Sequence, residues 1–292
     1  MSRIQDILKK AERDGALHRT RGLTPDVPPV VHASPMAPTM PMPPAWTAAA
    51  GEAEEAAPPR PRQQVPEALD PLLVSAYAPQ SLAAEQYRSL RTRIKGTENG
   101  RVFRAMIVTS PNKGDGKTLT AANLSLTMAQ EFQQRVLLLD GDLRRPSIHR
   151  LFGIAETPGL TDILMGGATL DDALVAIPEH HLTVLPAGIA PLHPAELLGS
   201  AAMRRTLDVL RTRFDRIVID MPPIAPLADV SIAAGMADGV LMIVRAGVTP
   251  KPAIERALSG LEMSKVIGLV LNDAGGDAAS SYDYSGYGYV AG

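Results

Sequence analysis

The sequence predicts an α/β fold built on a doubly wound, mostly parallel sheet, and three observations carry that expectation. Six short runs, Ala105–Thr109, Val136–Asp140, Leu182–Pro186, Ile217–Asp220, Val240–Val244 and Val266–Asn272, are rich in Val, Ile and Leu and almost unbroken. Strands buried on both faces of a parallel sheet read this way. Amphipathic segments separate most of them: Leu119–Phe132, Ala201–Arg213, Leu227–Met236 and Pro250–Met263. The alternation continues over roughly 170 residues without an internal repeat, which fits one domain better than several.

The elements before and after that domain differ in composition. Residues 1–19 predict a short amphipathic helix, because Ile4, Ile7, Leu8 and Ala11 fall at i, i+3, i+4 and i+7 among Arg3, Asp6, Lys9, Lys10 and Arg13. Half of the 26 prolines lie between Pro25 and Pro71, in a stretch rich in alanine and methionine. Such a stretch has few periodic apolar positions with which to offset its ordering entropy, so residues 20–77 are expected to be a disordered, Pro-rich linker. The α/β domain is expected over 78–277, and a flexible tyrosine-rich tail over 278–292.

Composition excludes several classes of function. With no cysteine, thiolate zinc sites, iron–sulfur clusters and disulfides are ruled out. The pair His180-His181 lacks a second ligand cluster and reads as a polar loop. A formal charge of −2 gives no general reason for nucleic-acid or membrane binding. No apolar run reaches the ~18 residues of a spanning helix, and no signal-peptide core is present. The cytoplasm is therefore the expected compartment, without direct membrane insertion.

The first predicted strand runs into Ser110-Pro111-Asn112-Lys113-Gly114-Asp115-Gly116-Lys117-Thr118, and a helix beginning with Leu119 follows. This is a P-loop, with Pro111 where the pattern usually has its first glycine. Gly114 and Gly116 allow the backbone to curl its N–H groups toward a phosphate chain. Lys117 supplies a charge to the β- and γ-phosphates, and the Thr118 hydroxyl is a magnesium ligand. The helix N-terminus faces the same oxygens. Two more strands end in carboxylates: Asp140-Gly-Asp142-Leu-Arg144 and Asp220-Met-Pro-Pro223. In a parallel sheet the strand C-termini share one edge, so Asp140, Asp142 and Asp220 should converge near Lys117 and Thr118. Any one of them could merely cap a helix, but three beside a Gly-Lys-Thr loop argue for ATP and Mg²⁺ as cofactors.

From about Gln80 onward the chain resembles the bacterial tyrosine kinases of capsule and exopolysaccharide systems, within the MinD/ParA-like P-loop NTPases. The resemblance rests on Asp140-Gly-Asp142-Leu-Arg144, Asp220-Met-Pro-Pro, Pro194-Ala-Glu-Leu-Leu198, Gly268-Leu-Val-Leu-Asn272 and Glu85-Gln-Tyr-Arg88-Ser-Leu-Arg91. His193 stands where the family more often has asparagine. The resemblance implies that Thr118, Asp142 and Asp220 organise magnesium and that Asp140 orients or deprotonates the attacking tyrosine. It also implies that Arg144 neutralises phosphate charge and that Asn272 approaches the adenine. It further implies a membrane polysaccharide co-polymerase, or chain-length regulator, whose cytoplasmic segment activates the kinase at the inner face of the membrane.

Two features separate a kinase from a bare ATPase. Four of the six tyrosines, Tyr282, Tyr284, Tyr287 and Tyr289, fall in the last eleven residues among Gly, Ser and Asp. Core aromatics do not cluster so, and a tail leaving the last strand reaches at most about 48 Å, enough for its own site or a neighbour's. On the helix near Glu85, Glu85, Arg88 and Arg91 share a ~120° arc beside an apolar face. The plain reading is a Glu85–Arg88 pair within the helix; the resemblance implies a homo-oligomeric ring. The alternatives are a MinD/ParA-type ATPase switch and an inactive nucleotide-binding scaffold. The switch proteins carry a signature lysine where this chain has Asn112, and they lack the tyrosines.

Overall fold

The computed structural model describes residues 62–63, 68–98, 100–131, 134–224 and 229–274. The predicted first helix (1–19), most of the linker and the tyrosine tail lie outside the described residues. Among the described residues, eight strands form one sheet: β1 (Arg62–Gln63), β2 (Ala105–Thr109), β3 (Val136–Asp140), β4 (Val175–Ile177), β5 (Leu182–Leu185), β6 (Arg216–Asp220), β7 (Gly239–Arg245) and β8 (Val266–Asn272). Their spatial order is β1-β4-β5-β3-β6-β2-β7-β8, and every pair is parallel except β4 with β5.

The near-continuous apolar strands reflect burial on both faces. Ala105, Ile107, Leu137, Leu139, Ile217 and Ile219 belong to one core cluster. The residues between them, Met106, Leu138 and Val218 with Val108 and Val136, belong to the other. The first cluster is covered by α8 (Ala201–Arg213, through Met203, Leu207 and Leu210), α9 (Asp229–Ala234) and α10 (Lys251–Ser259). The second is covered by α2 (Leu82–Thr97), α3 (Lys117–Ala129) and α4 (Ile148–Leu151). Helices on both faces make the fold doubly wound. Further short helices among the described residues are α5 (Leu160–Leu164), α6 (Leu170–Ala173) and α7 (Pro194–Leu198).

The predicted linker boundary at 77 needs correction. Residues 68–81 form a strap across α3, containing the short helix α1 (Val74–Tyr77). Leu73 is completely buried, and Ser75 bonds the α3 side chains Asn123 (N to Oδ1, 2.9 Å) and Thr127 (Oγ to Oγ1, 3.1 Å). Asn123 Nδ2 donates to the Leu72 carbonyl, and Gln130 Nε2 to that of Ser75. A single leucine and a few hydroxyls carry no periodic signal, yet they offset the ordering cost. β1, inside the expected linker, and β4 were also not anticipated, being two and three residues long.

Helix ends differ modestly from expectation. α3 starts two residues early because Gly116, at φ 95°, serves as its left-handed N-cap. α10 stops at Ser259, where Gly260 caps it. The His180-His181 pair occupies a turn, with His181 at φ 53°.

Candidate active site

Strand register places the site. Asp140 on β3 and Val108 on β2 both pair with Asp220, the last residue of the intervening β6. The loop 110–116 leaves β2 at the same edge and feeds α3. Gly114 (φ 88°) and Gly116 (φ 95°) take the left-handed backbone that curls this loop. A Cβ at Gly116 would fall 2.0 Å from Asn272 Nδ2.

The loop is fastened by its own aspartate. Asp115 is 2% exposed; its Oδ2 accepts from Asn112 N (2.9 Å), and its Oδ1 from Thr249 Oγ1 (2.8 Å). Asn272, at the end of β8, donates to the Asp115 carbonyl at 3.0 Å. Thr249 also accepts from Arg245 N at 2.9 Å. Ser110 Oγ donates to the Asn112 carbonyl, Pro111 is buried, Lys113 is exposed and Leu119 is half-buried.

At the start of α3 the predicted groups meet. Lys117 Nζ donates to Asp142 Oδ2 at 2.9 Å and to both Asp220 oxygens at 3.3 and 3.4 Å. Thr118 Oγ1 donates to Asp220 Oδ2 at 2.7 Å. Burial opposes the Lys117 charge, but Asp220, Asp142 and Asp140 outweigh it and hold its pKa above the usual lysine range. Burial raises the Asp220 pKa, with Asp142 adding to it against the pull of Lys117 and Thr118.

Asp140 is placed differently from expectation. It is wholly buried, and its two oxygens accept from the backbone N–H groups of Asp142 (3.2 Å), Ser147 (3.1 Å) and Ile148 (3.0 Å). Burial first, then the Asp220 charge, raises its pKa to about 7. This placement makes Asp140 the anchor of the loop after β3, not an open acceptor for an incoming phenol. Asp142 is the carboxylate of that loop that reaches Lys117.

Arg144 makes a two-pronged contact with Asp229, a residue the sequence reading passed over (Nε to Oδ2 2.7 Å, Nη2 to Oδ1 3.1 Å). A signal was present: an aspartate inside the apolar string Leu227-Ala-Asp-Val-Ser-Ile-Ala-Ala is costly unless paired. Thr249 was also missed, for want of any motif. On α2, Arg88 pairs with Glu85 at 2.6 Å and bonds the Pro79 carbonyl. Arg91 bonds the Thr127 carbonyl at 2.7 Å and approaches Glu131 at 3.3 Å. Burial raises the pKa of Tyr87, on the same helix, against a hydrogen bond to Thr120 of α3.

The oxygen donors suit a hard cation. Among the described residues no three Asp, Glu, His or Cys side chains form a self-sufficient metal cage. Magnesium does not need one, since it binds through one or two carboxylates and fills its shell with water and phosphate oxygens. Among the described residues no helix is long and apolar enough to cross a membrane.

The fold and this edge define a P-loop nucleoside triphosphatase scaffold. The AAA domain family model matches residues 104–263. Tyrosine-protein kinase YwqD of Bacillus subtilis (strain 168) is 36% identical over 216 residues, 73% of this chain and 91% of that protein. Tyrosine-protein kinase CpsD of Streptococcus agalactiae is 33% identical, over 70% of this chain and 89% of its own. The kinase domain of Escherichia coli tyrosine kinase ETK superposes with a TM-score of 0.65 at 27% identity, covering 76% of this chain and 86% of that one. The chain belongs to the bacterial tyrosine-protein kinase family.

Proposed function

We propose that this protein transfers the γ-phosphoryl group of ATP to the tyrosine cluster Tyr282, Tyr284, Tyr287 and Tyr289, and so regulates assembly and export of a capsular or extracellular polysaccharide. The carrying observation is the convergence of Lys117, Thr118, Asp142 and Asp220 within 2.7–3.4 Å at the start of α3. Phosphoryl transfer asks a protein mainly to position the nucleophile and to stabilise charge spreading over the phosphoryl oxygens.

The backbone from Pro111 to Gly116 and the N-terminus of α3 cradle the phosphates, and Lys117 supplies positive charge to them. Thr118, Asp142 and Asp220 would hold magnesium, which when bound neutralises charge on the β- and γ-phosphates. Asp140 fixes the loop that presents Asp142 and Arg144, and Arg144 faces the transferring group. Asn272, on the loop's outer side, borders the nucleotide. β8 ends at the catalytic edge with Asn272, ten residues before Tyr282, which keeps the tyrosines within reach of that edge along the chain. Subunits associate in a ring through Glu85, Arg88 and Arg91, each offering its tail to a neighbour, and the cytoplasmic segment of a membrane co-polymerase activates them.

The test is mass spectrometry of the full chain after incubation with Mg-ATP, beside Lys117→Met. Phosphate on the four terminal tyrosines of the wild type alone is the expected result. ATP hydrolysis without phosphotyrosine, with and without the co-polymerase segment, would overturn the proposal.

A further inference from the structure

Asp229 has no assigned part in the chemistry, yet its environment is costly. It lies in the first turn of α9 and is 1% exposed, whereas the Arg144 side chain it binds is 38% exposed. A buried carboxylate is tolerated only when paired, and this one is met on both oxygens by Nε and Nη2 of a single guanidinium. Arginine has five N–H donors in a rigid fork, so this grip fixes the plane of the group and leaves three donors, two of them on Nη1. Arg144 follows Asp142, the carboxylate on Lys117, by two residues in the loop after β3. One edge of the guanidinium is therefore fixed to the scaffold, on a residue two positions from the carboxylate that meets Lys117.

We infer that Asp229 is a positioning residue: it holds Arg144 in the orientation that meets the transferring phosphoryl group. This rests on the reading of Arg144 as a phosphate-facing cation. An exposed arginine without its anchor would sample many rotamers and lose the benefit of a fixed charge, because preorganised charge is what stabilises a phosphoryl-transfer transition state. The contact would matter little for a bound diphosphate and most when charge spreads over the group in flight.

The experiment measures affinity of the full chain for Mg-ADP and for Mg-ADP with aluminium fluoride, a mimic of the transferring group, so no turnover is needed. Wild type is compared with Asp229→Asn, Arg144→Ala, Arg144→Lys and the Asp229→Asn/Arg144→Ala double variant. Asp229→Asn should bind the mimic about tenfold more weakly with ADP affinity unchanged, the lower end of the loss seen when residues that orient metal ligands are removed. Arg144→Lys keeps the charge but not the fork, needs no change at the buried carboxylate, and should show the same selective loss. The double variant should be no worse than Arg144→Ala alone. If Arg144→Ala binds the mimic like wild type, the reading of Arg144 fails and the inference with it. If Arg144→Ala is weakened while Asp229→Asn is not, Arg144 survives and the positioning role is overturned. Equal weakening of ADP and mimic in Asp229→Asn, or a further loss in the double variant, would assign Asp229 a merely structural role.

Discussion

Replacing Leu73 with alanine tests whether the strap over α3 belongs to the folded domain. Leu73 is completely buried in the core cluster that contains Leu124, Leu126 and Phe152, whereas its neighbour Leu72 is 57% exposed. Truncating a fully buried leucine costs about 2–5 kcal/mol, from lost transfer free energy plus the cavity left behind. The same truncation at a surface position stays within about 0.5 kcal/mol. In urea, with a slope of roughly 2 kcal/mol per molar, Leu73→Ala should lower the unfolding midpoint by about 1–2.5 M. Leu72→Ala should leave it nearly unchanged. Ser75→Ala should fall between, at about 1 kcal/mol, since it gives up the contact with Thr127 but keeps its backbone bond to Asn123. The assay is equilibrium denaturation of the full chain followed by circular dichroism. Equal shifts for Leu72→Ala and Leu73→Ala would refute the reasoning and return the strap to the linker.

Other expectations concern the nucleotide loop and the sheet. Gly116→Ala forces a side chain into a left-handed backbone and against Asn272, a strain of about 1–2 kcal/mol before the clash is counted; binding of a fluorescent ATP analogue should weaken at least tenfold, and Asn272→Ala should restore only part of the loss. Thr249→Val removes the hydroxyl that links Asp115 to Arg245 N, so ATP affinity should fall about fivefold to tenfold, for a bond worth about 1–1.5 kcal/mol. Asp215, hydrogen-bonded by Arg135, has its pKa held down at about 2. Because its folded pKa is depressed, the stability it contributes is present above about pH 4 and is lost as pH falls through 2. The penalty of Asp215→Asn, at most about 1 kcal/mol for so exposed a pair, should therefore be measurable at pH 7 and vanish near pH 2 in thermal unfolding.

The sequence reading succeeded where a strand or loop explains itself locally. β2 and β3 fall on the predicted bounds because strands buried on both faces need continuous apolar residues, and the half-buried edge strand β8 also falls on its predicted bounds. Lys117, Thr118, Asp142 and Asp220 converge because parallel topology brings strand ends to one edge. It failed where a residue matters through a partner distant in the chain. Asp140 looks like Asp142 in sequence, but the backbone turns back over it, so its oxygens go to Ser147 and Ile148. The strap has no periodicity, and only α3 shows what its Leu73 and Ser75 are for.

Asp115 shows what such distant partners accomplish. Read locally it is a spacer between two glycines, yet it is buried and joined to Thr249 after β7 and to Asn272 at the end of β8. The strand pair farthest along the chain thus fastens the phosphate loop. Asp273, the residue after Asn272, is paired with Arg245 at 2.8 Å. The bonds of Asn272 that shape the nucleotide loop and the ion pair of Asp273, the residue just after β8, are therefore neighbours in the chain. A change in either should be felt by the other, which is why Asn272→Ala ought to alter tail phosphorylation as well as ATP affinity, while leaving the Lys117–Asp220 cluster in place.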